Sequence, residues 1–219
     1  MDNNDLEKED AKDLHEVGMF SEKELEETEE IIIIVDMVNG FVKFGNLFSI
    51  RISRIVPVVK NLVKFFSSSP KYKKVFVCDG HTKKSKELLR FLIHCLLNTP
   101  EAEIIDELKP YLKGALIYRK NSTEATSQKI MENVRRMPKL KRIVVVGCCT
   151  DICVKNLVIA LMNAIENEDL DVEVVVPENA VETFDGPDHN AEEYTKWAFN
   201  FMRLNGAKVV KKYEKKRCA

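Results

Sequence analysis

The chain has 219 residues, enough for one domain with a sizeable core, and its apolar content of 45 % is that of an ordinary globular protein. Its formal net charge of −1 gives no reason to expect a polyanion or a membrane surface as partner. Six cysteines without a signal peptide argue against a disulfide framework, so we expect free thiols in a reducing cytoplasm.

The charge is concentrated at the N-terminus, where residues 1–30 carry 13 acidic and 3 basic side chains. We therefore interpret residues 1–29 as an acidic leader, partly helical or disordered, and residues 30–219 as a single domain. The basic residues near the C-terminus are interpreted as a solvated surface rather than as a nucleic-acid stripe.

From residue 30 onward, apolar runs rich in Ile and Val alternate with amphipathic stretches. The apolar runs predict six strands, at 31–38, 74–79, 114–120, 142–148, 171–178 and 207–213. The amphipathic stretches predict five helices, at 54–66, 101–112, 127–137, 151–168 and 190–206. Strands that alternate with helices need right-handed crossovers, so the pattern predicts an α/β fold with a parallel sheet covered on both faces.

Residues whose side chains could act in catalysis or bind a metal follow four of these strands. They are Asp36 after the first, Asp79 and His81 after the second, Lys120 at the end of the third, and Cys148, Cys149 and Cys153 after the fourth. In an open parallel sheet, ligands bind beyond the carboxyl ends of the strands. We therefore expect these side chains to meet at one edge of the sheet.

The cysteines lie in "GCCTDICVKNLV", a strand, a turn and the start of a helix, with Thr150 or Asp151 as the N-cap. Cys153 then falls in the first helical turn, where the helix dipole is expected to lower its pKa. A zinc site made from the cysteines is not favoured, because their spacing is not a paired C-x₂-C. From spacing alone, packed and inert thiols remain the alternative to a nucleophile.

Five segments appear in the order and rough spacing found in the isochorismatase-like cysteine hydrolases. They are "IIIIVDMVNGF", "CDGHT", "HCLLNTPEAEIIDELKPY", "YRKNST" and "VVGCCTDICV". Over residues 30–213 the chain most resembles the nicotinamidase branch of that family. The resemblance implies a three-layer α/β/α sandwich around a six-stranded parallel sheet with strand order 3-2-1-4-5-6.

The resemblance also implies a catalytic triad of Asp36, Lys120 and Cys153, in which the cysteine attacks a carboxamide and forms a thioester. The backbone N–H groups of Cys149 and Cys153 would form the oxyanion hole. A cis peptide bond is expected between Cys148 and Cys149, and Cys148 would serve only in packing.

A divalent metal is implied as well, with zinc the first choice and manganese or iron(II) as alternatives. Its ligands would be Asp79, His81, Glu87 and His94. The segment "KELLRFLIHCLL" has helical periodicity, but the resemblance implies that it is mostly irregular.

Two aromatic residues, Phe41 and Phe91, occupy positions that would wall the pocket for a flat substrate ring. The usual "STNGF" of the family reads "STEAT" here, over residues 122–126, which changes part of that pocket wall. His189, in "FDGPDHN", is interpreted as structural.

These observations favour a nicotinamidase that converts nicotinamide to nicotinate and ammonia in NAD salvage. The alternatives are a cysteine amidohydrolase for another small amide or carbamoyl compound, and a non-catalytic α/β binding protein. The expected partner is a small amide, with no nucleic acid and no membrane, and we expect a homo-oligomer.

Overall fold

The computed structural model describes residues 19–214, so most of the acidic leader lies outside the described residues. Seven strands form one sheet: β1 Glu30–Val35, β2 Tyr72–Asp79, β3 Ala115–Lys120, β4 Arg142–Cys148, β5 Glu173–Pro177, β6 Val181–Glu182 and β7 Lys208–Val210. All of their pairings are parallel. The order β3-β2-β1-β4-β5-β7 confirms the predicted arrangement, and the short β6 is an additional strand that pairs with β4.

Seven α-helices surround the sheet in the described part of the chain. They are α1 Glu22–Glu27, α2 Asn39–Val42, α3 Ile50–Ser53, α4 Val56–Phe66, α5 Ser127–Val134, α6 Lys155–Asn167 and α7 Ala191–Leu204. A π-helical turn, Thr150–Val154, precedes α6 directly. None of the helices described is long and apolar enough to cross a membrane.

Alternation along the central strand β1 divides the core into two layers. Ile31 and Ile33 belong to a buried cluster with the apolar faces of α1, α5, α6 and α7. Ile32 and Ile34 belong to a second cluster with α2, α3 and α4. Successive side chains of a strand point to opposite faces, so a run of isoleucines buried on both sides is what a doubly covered sheet needs.

The helix predicted over 101–112 is wrong. This segment contains only two 3₁₀ turns, Pro100–Ala102 and Lys109–Tyr111. Its apolar residues are buried through irregular backbone instead, with the N–H of Ile105 donating to the carbonyl of Met37 at 3.2 Å. Prolines at both 3₁₀ turns restrict a regular helix here, because a proline has no N–H to donate.

The end of the leader packs onto the domain. Ser21 and Glu24 form a capping box that starts α1. Phe20 and Leu25 are buried in the first cluster, and Lys73 reaches Glu24 at 2.9 Å. The described part of the leader is therefore part of the core's outer layer.

Candidate active site

Three neighbouring strands place their carboxyl ends at one edge of the sheet. Asp36 directly follows β1, with its N–H donating to the carbonyl of Val77 at 2.8 Å and with a φ of 51°. Asp79 ends β2 and is paired in register with Lys120, which ends β3. A non-glycine residue with positive φ is uncommon and often marks a functional position. The strand ends thus bring together side chains that are far apart in the sequence, as expected.

Lys120 lies at the centre of this group and is almost completely buried. Its Nζ is 2.9 Å from Asp36 Oδ2, forms an ion pair with Asp79, and lies 3.5 Å from the Sγ of Cys153. The other oxygen of Asp36 accepts the backbone N–H of Asp79 at 2.8 Å. A buried ammonium is costly unless it is paired, and here two carboxylates and a sulfur surround it.

The pKa values of this group differ from those expected from the sequence. Burial and the charge of Asp79 raise the pKa of Asp36 to about 6, against the opposing effect of Lys120. Burial also raises the pKa of Cys153 well above its usual value, which the charge of Lys120 only partly opposes. The expected lowering of the Cys153 pKa by the helix start is wrong, because desolvation in this site outweighs it. Burial at this site therefore favours the thiol form of Cys153 over the thiolate.

The cysteine-bearing turn has an unusual backbone. The peptide bond between Cys148 and Cys149 is cis, as expected. The carbonyl of Cys149 accepts the N–H groups of Ile152 and Val154 at 3.2 and 3.1 Å, so the residues 150–154 form a π-helical turn rather than a capped α-helix. The predicted side-chain cap by Thr150 or Asp151 is not formed, and Cys149 takes that position.

Cys148 is fully buried, and its Sγ donates to the carbonyl oxygen of Asp36 at 3.2 Å. This contact connects the end of β4 to the end of β1, directly behind the triad. Cys153, in contrast, lines an open cavity together with Cys149. Of the cysteines in this turn, Cys149 and Cys153 are therefore the two that line the cavity.

The four candidate metal ligands also come together. One ligand atom each from Asp79, His81, Glu87 and His94 lies within 4.8 Å of the others, and all four residues are buried. The Nε2 atoms of the two histidines are 3.1 Å apart, and both lie near Asp79 Oδ2, at 3.4 and 3.5 Å. The segment between β2 and His94 is irregular apart from one 3₁₀ turn, Lys86–Leu89, which agrees with the expectation.

The hydrogen bonds around this group fit a metal ion. His94 Nδ1 donates to the carbonyl of Leu92 at 2.7 Å, and His81 Nδ1 lies 3.3 Å from the hydroxyl of Ser85. With their Nδ1 protons held in this way, both imidazoles direct an Nε2 lone pair to the centre of the group. Glu87 Oε2 is buried and accepts no hydrogen bond from the residues described. Two imidazoles and two carboxylates are a donor set suited to zinc, manganese or iron(II).

One cavity, of about 180 Å³, connects the thiol with this group. The sequence-predicted residues Phe41 and Phe91 both line it, with ring centroids 5.6 and 6.4 Å from that of His94. Asp79, Glu87 and His94 line it as well, on the side of the metal-ligand group. The cavity therefore extends from Cys153 to the candidate metal centre.

Several residues of the cavity wall were missed from the sequence. They are Asn46, Leu47, Phe48, Ser49, Ile152, Phe184 and Asp185. Phe184 could have been found from the sequence, since it begins the segment "FDGPDHN", which contains His189. The ring of His189 in that segment stacks on that of Phe184, with centroids 4.1 Å apart, and Asp151 Oδ2 accepts a hydrogen bond from His189 Nε2 at 2.8 Å. This histidine therefore supports the wall from outside.

The "STEAT" segment is ordered by Glu124. The carboxylate of Glu124 accepts the N–H groups of Thr126 and Ser127 at 2.6 and 2.8 Å, at the start of α5. None of the residues 122–126 lines the cavity. The departure from the usual family motif therefore acts on the start of a helix rather than directly on the cavity.

Comparisons with known proteins agree with this geometry. The family model described as the Isochorismatase domain matches residues 30–213. Nicotinamidase 1 of Arabidopsis thaliana is 30 % identical over 180 residues, which cover 74 % of this chain and 72 % of that relative.

Two solved structures show the same fold. The N-carbamoylsarcosine amidase of Thermoplasma acidophilum has a TM-score of 0.67 at 22 % identity, covering 87 % of this chain and 100 % of the other. The pyrazinamidase of Pyrococcus horikoshii in complex with zinc has a TM-score of 0.62 at 25 % identity, covering 83 % and 98 %.

The fold thus combines a parallel sheet covered by helices with a buried cysteine–lysine–aspartate group beside a candidate metal centre. The chain belongs to the isochorismatase family.

Proposed function

We propose that this protein is a metal-dependent amidohydrolase that converts nicotinamide and water to nicotinate and ammonia through a thioester on Cys153. The observation that carries the proposal is the shared cavity. The thiol of Cys153 and the side chains of Asp79, Glu87 and His94 line one space that is just large enough for a small ring. Similarity to a nicotinamidase at 30 % identity supports the same substrate.

In the proposed first step, the sulfur of Cys153 attacks the carboxamide carbon while its proton passes to the carboxylate of Asp36. A base with a pKa of about 6 is ionised at neutral pH, so Asp36 is ready to accept that proton. Lys120, 3.5 Å from the sulfur, stabilises the negative charge that develops on it. Backbone N–H groups of Cys149 and Cys153 are proposed to bind the oxyanion of the tetrahedral intermediate.

In the second step, Asp36 returns the proton to the amide nitrogen, the C–N bond breaks and ammonia leaves. A water molecule then attacks the thioester, its proton passing to Asp36, and the C–S bond breaks to release the carboxylic acid. The thiol of Cys153 recovers its proton, so Asp36 and Cys153 end the cycle as they began.

Zinc is the proposed metal, held by Asp79, His81, Glu87 and His94. When bound, the ion supplies a Lewis-acid site for the ring nitrogen of the substrate, and this orients the amide toward the thiol. Phe41 and Phe91 are proposed to stack on the ring, since an aromatic substrate gains from aromatic walls.

A second candidate substrate is a carbamoyl compound, because the chain shares its fold with an N-carbamoylsarcosine amidase. The cavity lining argues for the neutral ring instead. No Lys or Arg lines the cavity in the described part of the chain, whereas Asp79, Glu87 and Asp185 do. With Asp79 and Glu87 serving as metal ligands, a substrate that carries its own carboxylate would find no lysine or arginine among the lining residues to pair with it.

The direct test is ammonia release by the purified protein from nicotinamide, benzamide and N-carbamoylsarcosine, with elemental analysis of the same sample. We expect nicotinamide to be hydrolysed fastest. Benzamide, which has no ring nitrogen, should react more slowly, and the metal should be present at about one equivalent per chain. Faster turnover of N-carbamoylsarcosine would replace the proposed substrate, and no turnover of any amide would favour a binding protein.

A further inference from the structure

The residue that follows His94 has an uncommon backbone conformation. Cys95 has a φ of 43°, in the left-handed region that residues with a side chain seldom occupy, and its side chain is fully buried. Such a conformation persists only where the surrounding structure holds it. The contacts of Cys95 therefore identify what fixes the backbone beside a candidate metal ligand.

Both polar groups of the Cys95 backbone are held by other parts of the chain. Its N–H donates to Glu101 Oε2 at 3.0 Å, and its carbonyl oxygen accepts the N–H of His81 at 2.9 Å. The N–H of Leu97 in turn donates to the carbonyl of His81 at 3.0 Å, so a short parallel ladder joins residues 95–97 to His81. The two histidines of the candidate metal centre are thus connected through the backbone of Cys95.

The peptide that Glu101 holds is the one that joins His94 to Cys95. Because the N–H of Cys95 and the carbonyl of His94 belong to one planar unit, a hydrogen bond to this N–H restricts the ψ angle of His94. A hydrogen bond to a carboxylate is also stronger than one to a neutral oxygen. The imidazole of His94 is therefore fixed twice, by the carbonyl of Leu92 at its Nδ1, 2.7 Å away, and by Glu101 through the backbone.

Glu101 is itself held in place by residues 39–45. It lies in the 3₁₀ turn Pro100–Ala102, and Asn39 of α2 donates through its Nδ2 to the carbonyl of Pro100 at 2.9 Å. A Cβ on Gly45 would lie 2.8 Å from both Cδ and Oε1 of Glu101, so the carboxylate occupies space that a side chain at position 45 would fill. A side chain packed this closely has few alternative rotamers, which is what a positioning role requires.

We propose that Glu101 is a positioning residue of the candidate metal centre. Its carboxylate fixes the peptide between His94 and Cys95, and this keeps the Nε2 of His94 3.1 Å from the Nε2 of His81. Two nitrogens at this separation can both reach one ion at about 2.0–2.1 Å. A ligand pair that is already in place loses less freedom when the ion binds, so the affinity for the ion is higher. This inference rests on the metal-binding role proposed above for the two histidines.

Two variants separate the reach of the Glu101 side chain from its charge. Glu101→Gln keeps the length and an oxygen that can accept the N–H of Cys95, whereas Glu101→Asp keeps the charge but is one methylene shorter. In competition with a chromophoric chelator, Glu101→Asp should raise the dissociation constant for zinc about tenfold, and Glu101→Gln should raise it less than about threefold. A role of the charge alone would give the reverse order and would overturn the proposal, as would an unchanged affinity in Glu101→Asp.

Glu103→Gln is the matched control. Glu103 lies two residues further along the same segment, and its carboxylate pairs with Lys109 at 3.0 Å on the surface. This variant should bind zinc like the wild type, and an equal loss in Glu103→Gln and Glu101→Asp would show that any change in this segment weakens binding.

A second measurement needs no metal. In metal-free protein, the amide of Leu97 should exchange its hydrogen faster in Glu101→Asp than in the wild type and in Glu101→Gln, because the ladder to His81 opens more often. Equal exchange in all three proteins would mean that residues 95–97 are held without Glu101, and would refute its role. A wild type that binds no zinc would instead refute the metal centre of the proposed function, and with it any role of Glu101 toward a metal. If the wild type binds zinc and hydrolyses nicotinamide while Glu101→Asp binds zinc equally well, only the role of Glu101 is refuted.

Discussion

The ammonium of Lys120 lies 3.5 Å from the sulfur of Cys153, although the two residues are 33 positions apart. Lys120 ends β3, and Cys153 lies in the π-helical turn that follows β4. The same ammonium is 2.9 Å from the carboxylate of Asp36. Lys120 therefore contacts both the proposed nucleophile and the proposed proton acceptor. Because burial favours the thiol form of Cys153, transfer of its proton to Asp36 is part of the proposed first step.

This contact predicts the effect of removing the sulfur. Cys153→Ala should lower the rate of ammonia release from nicotinamide at least about 10⁴-fold, because it removes the sulfur that is proposed to form the acyl intermediate. Circular dichroism should be unchanged. Cys78→Ala is the control, since Cys78 is a buried thiol on β2 that faces the core. If Cys153→Ala kept substantial activity, the thioester route would be wrong.

Removal of one imidazole should release the metal. His94→Ala is expected to lower metal affinity at least about 100-fold and to raise the KM for nicotinamide, because two of the four candidate ligands are histidines. Metal content per chain, measured after dialysis, is the readout.

His189→Ala is the matched histidine control for this experiment. Its imidazole contacts Asp151 and the carbonyl of Phe184 rather than the metal-ligand group. The control should keep its metal. Equal metal loss in both variants would mean that His94→Ala acts by general unfolding, and full retention by His94→Ala would remove it from the ligand set.

The end of β4, next to the cysteines, depends on a glycine. Gly147 has a φ of +113°, and a Cβ at this position would lie 2.0 Å from the carbonyl oxygen of Val35. Gly147→Ala should therefore destabilise the fold by about 3 kcal/mol or more, because backbone on the central strand would have to move.

Gly114→Ala is the natural comparison for that variant. Gly114 also has positive φ, +69°, but no atom lies within 4 Å of the position of its Cβ. Gly114→Ala should therefore lower the free energy of unfolding by only about 1 kcal/mol, which is the strain of a left-handed backbone alone. Urea unfolding of the two variants gives the difference, and similar losses would show that crowding against Val35 is unimportant.

The ion pair between Glu24 of α1 and Lys73 should make the free energy of unfolding depend on pH. Despite the opposing effect of partial burial, hydrogen bonds from Lys73 and Ser21 lower the pKa of Glu24 from 4.5 to about 2. A lowered folded-state pKa contributes stability that is fully present above pH 4.5 and is lost as the pH falls toward 2. Glu24→Gln should thus cost about 1 kcal/mol at pH 7, with solvent screening allowed for, and less at pH 3.5.

Glu26→Gln serves as the reference in that experiment. Glu26 lies on the same helix and forms no ion pair within the described residues. Its substitution should leave the free energy of unfolding nearly unchanged at both pH values. A Glu24→Gln deficit that stayed constant down to pH 3.5 would contradict the assignment of the low pKa to the pair with Lys73.

Much of the fold could be predicted because its strands are buried on both faces. The continuous Ile and Val runs around Ile33 and Val145 have few other interpretations, and their alternation with helices determines a parallel sheet. The failure at residues 101–112 has a local cause. Ile104, Ile105 and Leu108 have helical spacing, yet they are buried by irregular backbone that lies against the start of α2, and tertiary contacts decided the outcome.

The positions of the site residues could be predicted from the sequence, but properties that depend on desolvation, such as a pKa, could not. The places of Asp36, Lys120 and Cys153 followed from the rule for strand ends and from the motifs. The direction of the Cys153 pKa did not, because a helix start lowers a thiol pKa only when the sulfur stays hydrated. Wall residues such as Ile152 and Phe184 are ordinary apolar residues in the sequence, and only the three-dimensional path of the chain places them at the cavity.

The placement of Lys120 also bears on how the chain reaches its native state. An ammonium enclosed within the protein is tolerated only when the carboxylates at the ends of β1 and β2 are already beside it. A chain with a shifted register between these strands and β3 would bury that charge without compensation. The proposed catalytic group thus also penalises misassembly, and hydrolytic competence should emerge only in molecules whose sheet is correctly aligned.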